Sequence, residues 1–180
     1  MGKGKIILLN GVSSSGKTTL VKALQNRLEE PYFSLSSDMY QRDMIPDKFT
    51  NYRGSHYRHE THLTLFLKSM SVFHHTIRLF SDMECHTVVD HIFLERHRTL
   101  EECVQLLHGY PVLFVHVTCP LEEIRRREKE RGDRFIGQGE EQISLLCPQG
   151  TYDLAVDTCR NSPNECADRI IELLKYPEKF

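Results

Sequence analysis

Gly11, Gly16, Lys17 and Thr18 stand at the spacing G-x-x-x-x-G-K-[ST] within NGVSSSGKTT, residues 10 to 19, with IILLN before it and LVKALQNRLEE after it. Glycine at both ends lets such a loop curl until successive backbone N–H groups face one anion, and the helix that starts here adds its positive end. Spacing and context together predict a phosphate cradle, with Ser13, Ser14, Ser15 and Thr19 as further binding candidates. Lys17 would meet the β and γ phosphates of a nucleotide as a point charge, and the Thr18 hydroxyl would take the Mg2+ that the nucleotide carries. An ordinary strand-to-helix turn is the plain alternative. The apolar strand on one side and the amphipathic set Leu20, Val21, Leu24 and Leu28 on the other weigh against it.

Three more groups of residues carry chemical potential. Asp90 closes TVVD, an apolar strand ending in a carboxylate, which is the form of a second metal-organising motif in phosphate-loop proteins. A strand-end aspartate capping the next segment has the same appearance. Asp38, in SLSSDM, is a candidate base for a substrate hydroxyl, and Ser37 or Asp38 would equally serve as a helix N-cap. RRREKERGDR, residues 125 to 134, places six cationic side chains in ten positions. Most of such a run is a solvated helix face, in which Glu123 pairs with Arg127 at helical spacing. Arg131 and Arg134, however, flank a Gly-Asp turn where the helix should stop, and planar guanidinium groups suit the spread charge of a migrating phosphoryl group.

The elements that must position these residues follow from period. Short continuous apolar runs at 5–10, 32–37, 86–92, 111–118 and 152–158 read as strands, and helical patterns fall at 17–29, about 60–82, 97–108, 121–131, 140–147 and 163–175. Strands rich in Val, Ile and Leu that alternate with helices predict an α/β fold with a five-stranded parallel sheet covered on both faces. Ligands on such sheets bind at the carboxyl ends of the strands. The phosphate loop follows the first run and Asp38 the second, Asp90 stands at the end of the third, and TCP and DTCRNSP come after the fourth and fifth. The segment 39–59 is the least periodic, and long irregular segments in compact domains are commonly functional.

The 180 residues suit one domain, so any acceptor site must share its core with the nucleotide. With 23 basic and 25 acidic side chains the net charge is −2, which implies no general polyanion surface and makes nucleic acid a poor partner. The first apolar run is too short for a signal peptide or a membrane span, and a cytoplasmic protein is expected. Six cysteines without a C-x-x-C pair argue against a zinc ribbon or redox dithiol and read mostly as small core residues. His56, His59 and His62 recur every third residue without the H-E-x-x-H pattern, so surface or pocket-lining roles are expected in place of metal binding.

The stretches IILLNGVSSSGKT, SSDMYQRDMIP, VVDHIFL, REKERGDR and YDLAVDT with NSPNECA resemble, in that order, the chloramphenicol phosphotransferases. These are small phosphate-loop kinases related in fold to nucleoside monophosphate and shikimate kinases, and the similarity runs from about residue 5 to 172. The resemblance implies a P-loop NTPase fold with a short Arg-bearing lid over about 125–150 and a substrate-binding segment over about 39–82. It implies ATP with Mg2+ on Gly16, Lys17 and Thr18, Asp38 as base on a primary hydroxyl, and Arg131 and Arg134 on the phosphoryl group with Arg127 in support. His91 after Asp90, where the family has paired acids, and a segment 47–62 rich in Tyr, Arg and His both fall where an acceptor would sit. The expected activity is ATP-dependent phosphorylation of a hydroxyl on a small molecule, plausibly of chloramphenicol type and thus tied to antibiotic resistance. A nucleoside, an amino sugar or adenylylsulfate is the alternative acceptor, and a nucleotide-gated regulatory ATPase is the alternative from another class.

Overall fold

The structure, a computed structural model, describes residues 2–46, 59–94, 98–131, 137–146 and 152–176. Its elements are β1 (Ile6–Asn10), α1 (Lys17–Arg27), β2 (Tyr32–Ser36), α2 (Ser37–Arg42), α3 (His59–Asp82) and β3 (His86–His91), followed by α4 (Thr99–Leu106), β4 (Val112–Thr118), α5 (Leu121–Arg131), α6 (Gln138–Ile143), β5 (Leu154–Asp157) and α7 (Pro163–Leu174). The five strands form one parallel sheet in the order β2-β3-β1-β4-β5. β1 is central and buried along its whole length, because alternate residues serve opposite faces. Ile7 and Leu9 pack with Leu20, Leu24, Cys166 and Ile170 of α1 and α7. Ile6 and Leu8 pack on the other face with Phe73 and Ile77 of α3, and with Phe93 and Cys103. A strand that needs apolar residues on both faces reads as a nearly unbroken apolar run, which is why β1, β3 and β4 were plainest in the chain, while the edge strands β2 and β5 are only partly buried. Among the described residues no helix is long and apolar enough to cross a membrane.

Strand order brings chemistry to one edge. Asn10 at the end of β1 pairs in register with His91 of β3 and His116 of β4, so the segments leaving β1 and β3 emerge side by side. On the far side of β3, Ser36 pairs with Asp90 and ends β2. The Ser36 hydroxyl accepts the Asp38 N–H at 3.3 Å and so caps a short helix. The segment expected to be irregular from residue 39 therefore begins inside α2, and the cap is Ser36, not Ser37 or Asp38. Residues 47–58, including His56, lie outside the described residues. The lid-side helix also starts earlier than the expected 140, at Gln138, because Gly137 takes a left-handed φ of 92° and the buried Glu128 carboxylate receives the N–H groups of Gly137 and Gly139, each at 2.8 Å.

The cysteines depart from expectation: Cys103 and Cys166 are buried, Cys85 and Cys119 half-buried, and Cys159 exposed. At strand and helix ends a cysteine takes the exposure of its loop, whatever its own preference. His91 also differs, since its side chain turns into the core and its Nε2 lies 3.0 Å from His74 Nε2 among the rings of Phe73 and Phe93. No group of three or more His, Cys, Asp or Glu among the described residues is arranged to hold a metal ion.

The buried histidine pair makes stability pH-dependent. Burial is the largest cause that lowers His74, opposed by the Glu102 carboxylate, and leaves it at about 4 from the ordinary 6.5. Burial, then His74 and Lys17, holds His91 well below the ordinary value. Both folded values lie below the unfolded ones, so as pH falls the unfolded chain takes up protons first. The stabilisation is fully present above about 6.5 and is lost as pH falls from there toward about 4. The melting temperature should therefore drop between pH 7.5 and pH 5, and His74→Leu combined with His91→Leu should flatten that slope. A wild-type melting temperature that is level over this range contradicts the account.

Candidate active site

The phosphate loop is held in a shape that only its sequence allows. Gly16 adopts φ 98°, a left-handed conformation that costs glycine little. A Cβ on Gly11 would lie 2.5 Å from the Val117 carbonyl oxygen, so the loop can press against β4 only without a side chain there. Ser14, at φ 61°, is left-handed without being glycine, a conformation that persists only where surrounding contacts over-determine it. The hydroxyls of Ser13, Ser14 and Ser15 are buried and have no hydrogen-bond partner among the described residues. Buried polar atoms are normally paired, so this run of orphan donors fits the oxygens of a phosphate.

Lys17 is 6% exposed. Its ammonium donates to the Gly11 carbonyl at 2.7 Å and the Val12 carbonyl at 3.0 Å, and Asp90 Oδ1 lies 3.7 Å away. The Thr18 hydroxyl donates to Asp90 Oδ2 at 3.0 Å. Asp90 thus meets Lys17 and Thr18, the last two residues of the G-K-T motif, the second of them across 72 positions of sequence. A hydroxyl and a carboxylate in contact at a phosphate loop form an oxygen donor set of the kind that suits Mg2+. Asp38 reaches the same space from the first turn of α2. Lys17, Thr18, Asp38, Asp90 and Ile92 line a cleft of about 290 Å3 together with Arg127, Glu130, Thr158 and Pro163.

Among the other sequence candidates, Ser13, Ser14, Gly16 and Thr19 line this cleft, while Gly11 packs behind it against Val117. The Ser15 carbonyl accepts the hydroxyl of the cleft-lining Thr158 at 2.6 Å. Arg127 pairs with Glu123 at 2.8 Å as its spacing predicted, and its other nitrogens donate to the carbonyls of Ser14 at 3.3 Å and Thr158 at 3.0 Å. Arg131 closes α5, where its backbone alone is described, and Arg134 lies outside the described residues.

Sequence reasoning missed several residues of this assembly. Glu128, inside the charge run, is 1% exposed and caps α6. Gln142 of α6 accepts the Ser13 N–H through Oε1 at 2.7 Å, so α6 is tied directly to the phosphate loop. Asn10 accepts the Phe93 N–H at 2.9 Å and donates to the Tyr152 hydroxyl at 2.6 Å, joining the root of the loop to two other connections. Glu130 of α5 has nothing in its spacing to mark it, whereas Thr158 and Pro163, the first residue of α7, both lie in DTCRNSP past the last strand.

The family model described as chloramphenicol phosphotransferase-like protein matches residues 4–175. The chain belongs to that family. A Mycobacterium tuberculosis relative named "Putative O-phosphotransferase" is 27% identical over the whole of this chain and 88% of its own length. Among solved structures, a sugar kinase from Janibacter superposes with a TM-score of 0.68 at 22% identity, covering 98% of both chains. The APS kinase of M. tuberculosis gives 0.68 at 22% identity over 97% of this chain and 99% of its own. The shikimate kinase of Acinetobacter baumannii gives 0.66 at 15% over 95% and 93%. The fold is that of phosphate-loop kinases, and the family makes the chain a kinase-type phosphotransferase.

Proposed function

We propose that this phosphotransferase moves the γ-phosphate of ATP to a hydroxyl of a small molecule, with chloramphenicol or a compound of similar character as the acceptor. The observation that carries the reading is the meeting of Lys17, Thr18 and Asp90 at one end of a cleft that Asp38 also lines. Gly16, Lys17 and the loop serines hold the phosphates, and Thr18 and Asp90 hold Mg2+. When bound, Mg-ATP supplies the phosphoryl group and the charge neutralisation that its transfer needs. Asp38 orients the acceptor hydroxyl and takes up its proton. Arg131, which closes α5, and Arg134 stabilise the charge that spreads over the migrating group. The near-neutral chain fits a small acceptor better than a polymer.

The acceptors named for structural relatives, a sugar, APS and shikimate, are also hydroxyl-bearing small molecules. Incubating the protein with Mg-ATP and a panel that contains chloramphenicol, nucleosides, amino sugars, adenylylsulfate and shikimate separates them. The expected result is a phosphate-sized mass gain on chloramphenicol or a related alcohol. ATP turnover that no acceptor accelerates would instead support a nucleotide-gated regulator.

A further inference from the structure

Thr158, the first residue past β5, belongs to no phosphate-binding motif, yet it makes the shortest side-chain contact to the phosphate loop. Its hydroxyl donates to the Ser15 carbonyl at 2.6 Å and accepts from Arg127 Nη1 at 3.2 Å. Its own carbonyl accepts from Arg127 Nη2 at 3.0 Å, and its N–H donates to the Thr118 carbonyl at 3.1 Å, which fixes the residue to the end of β4. Arg127 in turn donates to the Ser14 carbonyl at 3.3 Å. A Cβ added to Gly16 would lie 3.1 Å from Thr158 Oγ1 and 3.2 Å from Arg127 Nη1, so the two side chains rest directly on the left-handed turn.

We propose that Thr158 is a positioning residue of the phosphate loop, acting through the Ser15 carbonyl to aim the Gly16 N–H at a bound phosphate. In a trans peptide the carbonyl and the following N–H point in opposite directions. Drawing the Ser15 oxygen toward Thr158 therefore turns the N–H of Gly16, which shares that peptide and lines the cleft, the other way. Ser14 at φ 61°, strained for a residue other than glycine, and Gly16 at φ 98° are the two left-handed residues next to this peptide. A loop with two such residues stays in one arrangement only if its carbonyls are tied, and the Thr158 and Arg127 contacts tie two adjacent ones. Pre-organised donors bind phosphate without first having to be ordered, so the hydroxyl contributes to affinity without touching the ligand.

The inference rests on the nucleotide-binding reading, and the test keeps the two apart. Thr158→Val keeps the shape and removes the hydroxyl, Thr158→Ala guards against misfolding of the valine protein, and Thr158→Ser keeps the hydroxyl. Binding of Mg-ADP and of Mg-pyrophosphate, which has no base or ribose, is measured by titration calorimetry beside a thermal melt. The expected result is a roughly fivefold to tenfold loss for both ligands in Thr158→Val and Thr158→Ala, and near wild-type binding in Thr158→Ser, as loss of one hydrogen bond predicts. A loss for Mg-ADP with unchanged pyrophosphate binding overturns the inference and makes Thr158 a contact to the base or ribose. Equal binding by all four proteins overturns it as well. A wild-type protein that binds neither ligand overturns the nucleotide reading itself.

Discussion

Lys17→Ala should lower phosphoryl transfer by roughly a thousandfold or more, in line with removal of a charged donor aimed at transition-state charge. The structure adds a second expectation that the sequence did not carry. Lys17 does not simply extend from the sheet toward a ligand; its ammonium also ties down the Gly11 and Val12 carbonyls, with the Asp90 carboxylate nearby. Truncation leaves those carbonyls and a half-buried carboxylate without this partner, at a cost of about 1–3 kcal/mol. A domain of ordinary stability survives such a loss. The variant should thus remain folded, melt several degrees lower, and be nearly inactive. Turnover measured with both substrates saturating, beside a melt, decides the matter. Near-normal turnover by a folded Lys17→Ala protein would end the phosphate-loop account.

Asp38→Asn should slow transfer by roughly a hundredfold or more, as loss of a general base commonly does. ATP affinity and fold should be nearly unchanged. The cap of α2 is Ser36, so asparagine at position 38 leaves it in place. What changes in the helix is one acidic charge in its first turn, which contributes about 0.3–1 kcal/mol. The functional loss is larger because an amide cannot accept a proton at neutral pH. A loose phosphoryl-transfer transition state needs little early deprotonation, so part of the effect comes from orientation of the hydroxyl. The Michaelis constant of the acceptor should therefore rise as turnover falls, while that of ATP stays level. Steady-state kinetics with each substrate varied separately reads both. An Asp38→Asn protein of wild-type rate would remove Asp38 from the reaction and favour a nucleotide-gated regulator.

Much of the site was legible because its parts are local. The phosphate loop is one contiguous stretch in which Lys17 binds the backbone of Gly11 and Val12, so its spacing carries much of the geometry. The strands differ from their expected bounds by one or two residues, and for β1, β3 and β4 the reason is that a parallel strand buried on both faces must be largely apolar. Asp38 and Asp90 were proposed by position, as carboxylates at strand ends where such sheets bind ligands, and both line the cleft. The residues around them escaped for the opposite reason. Glu128 sits among arginines and glutamates that look alike in sequence, and only the packing of α6 decides that its carboxylate is buried while Glu122 stays at the surface. His91 looked like a residue beside the acceptor because it follows Asp90. In a strand successive side chains point to opposite faces, and that alternation turns it into the core against His74.

The sequence by itself determined the strands, most of the helices, the phosphate loop and the type of chemistry, since each is encoded by residues close together in the chain. The tertiary structure alone decided which distant groups meet. Placing β3 and β4 on either side of β1 joins Asp90 to Thr18, and the β4–β5 pairing brings Thr158 to Ser15. Those contacts depend on strand order, and no local period of hydrophobic residues encodes the order in which strands assemble.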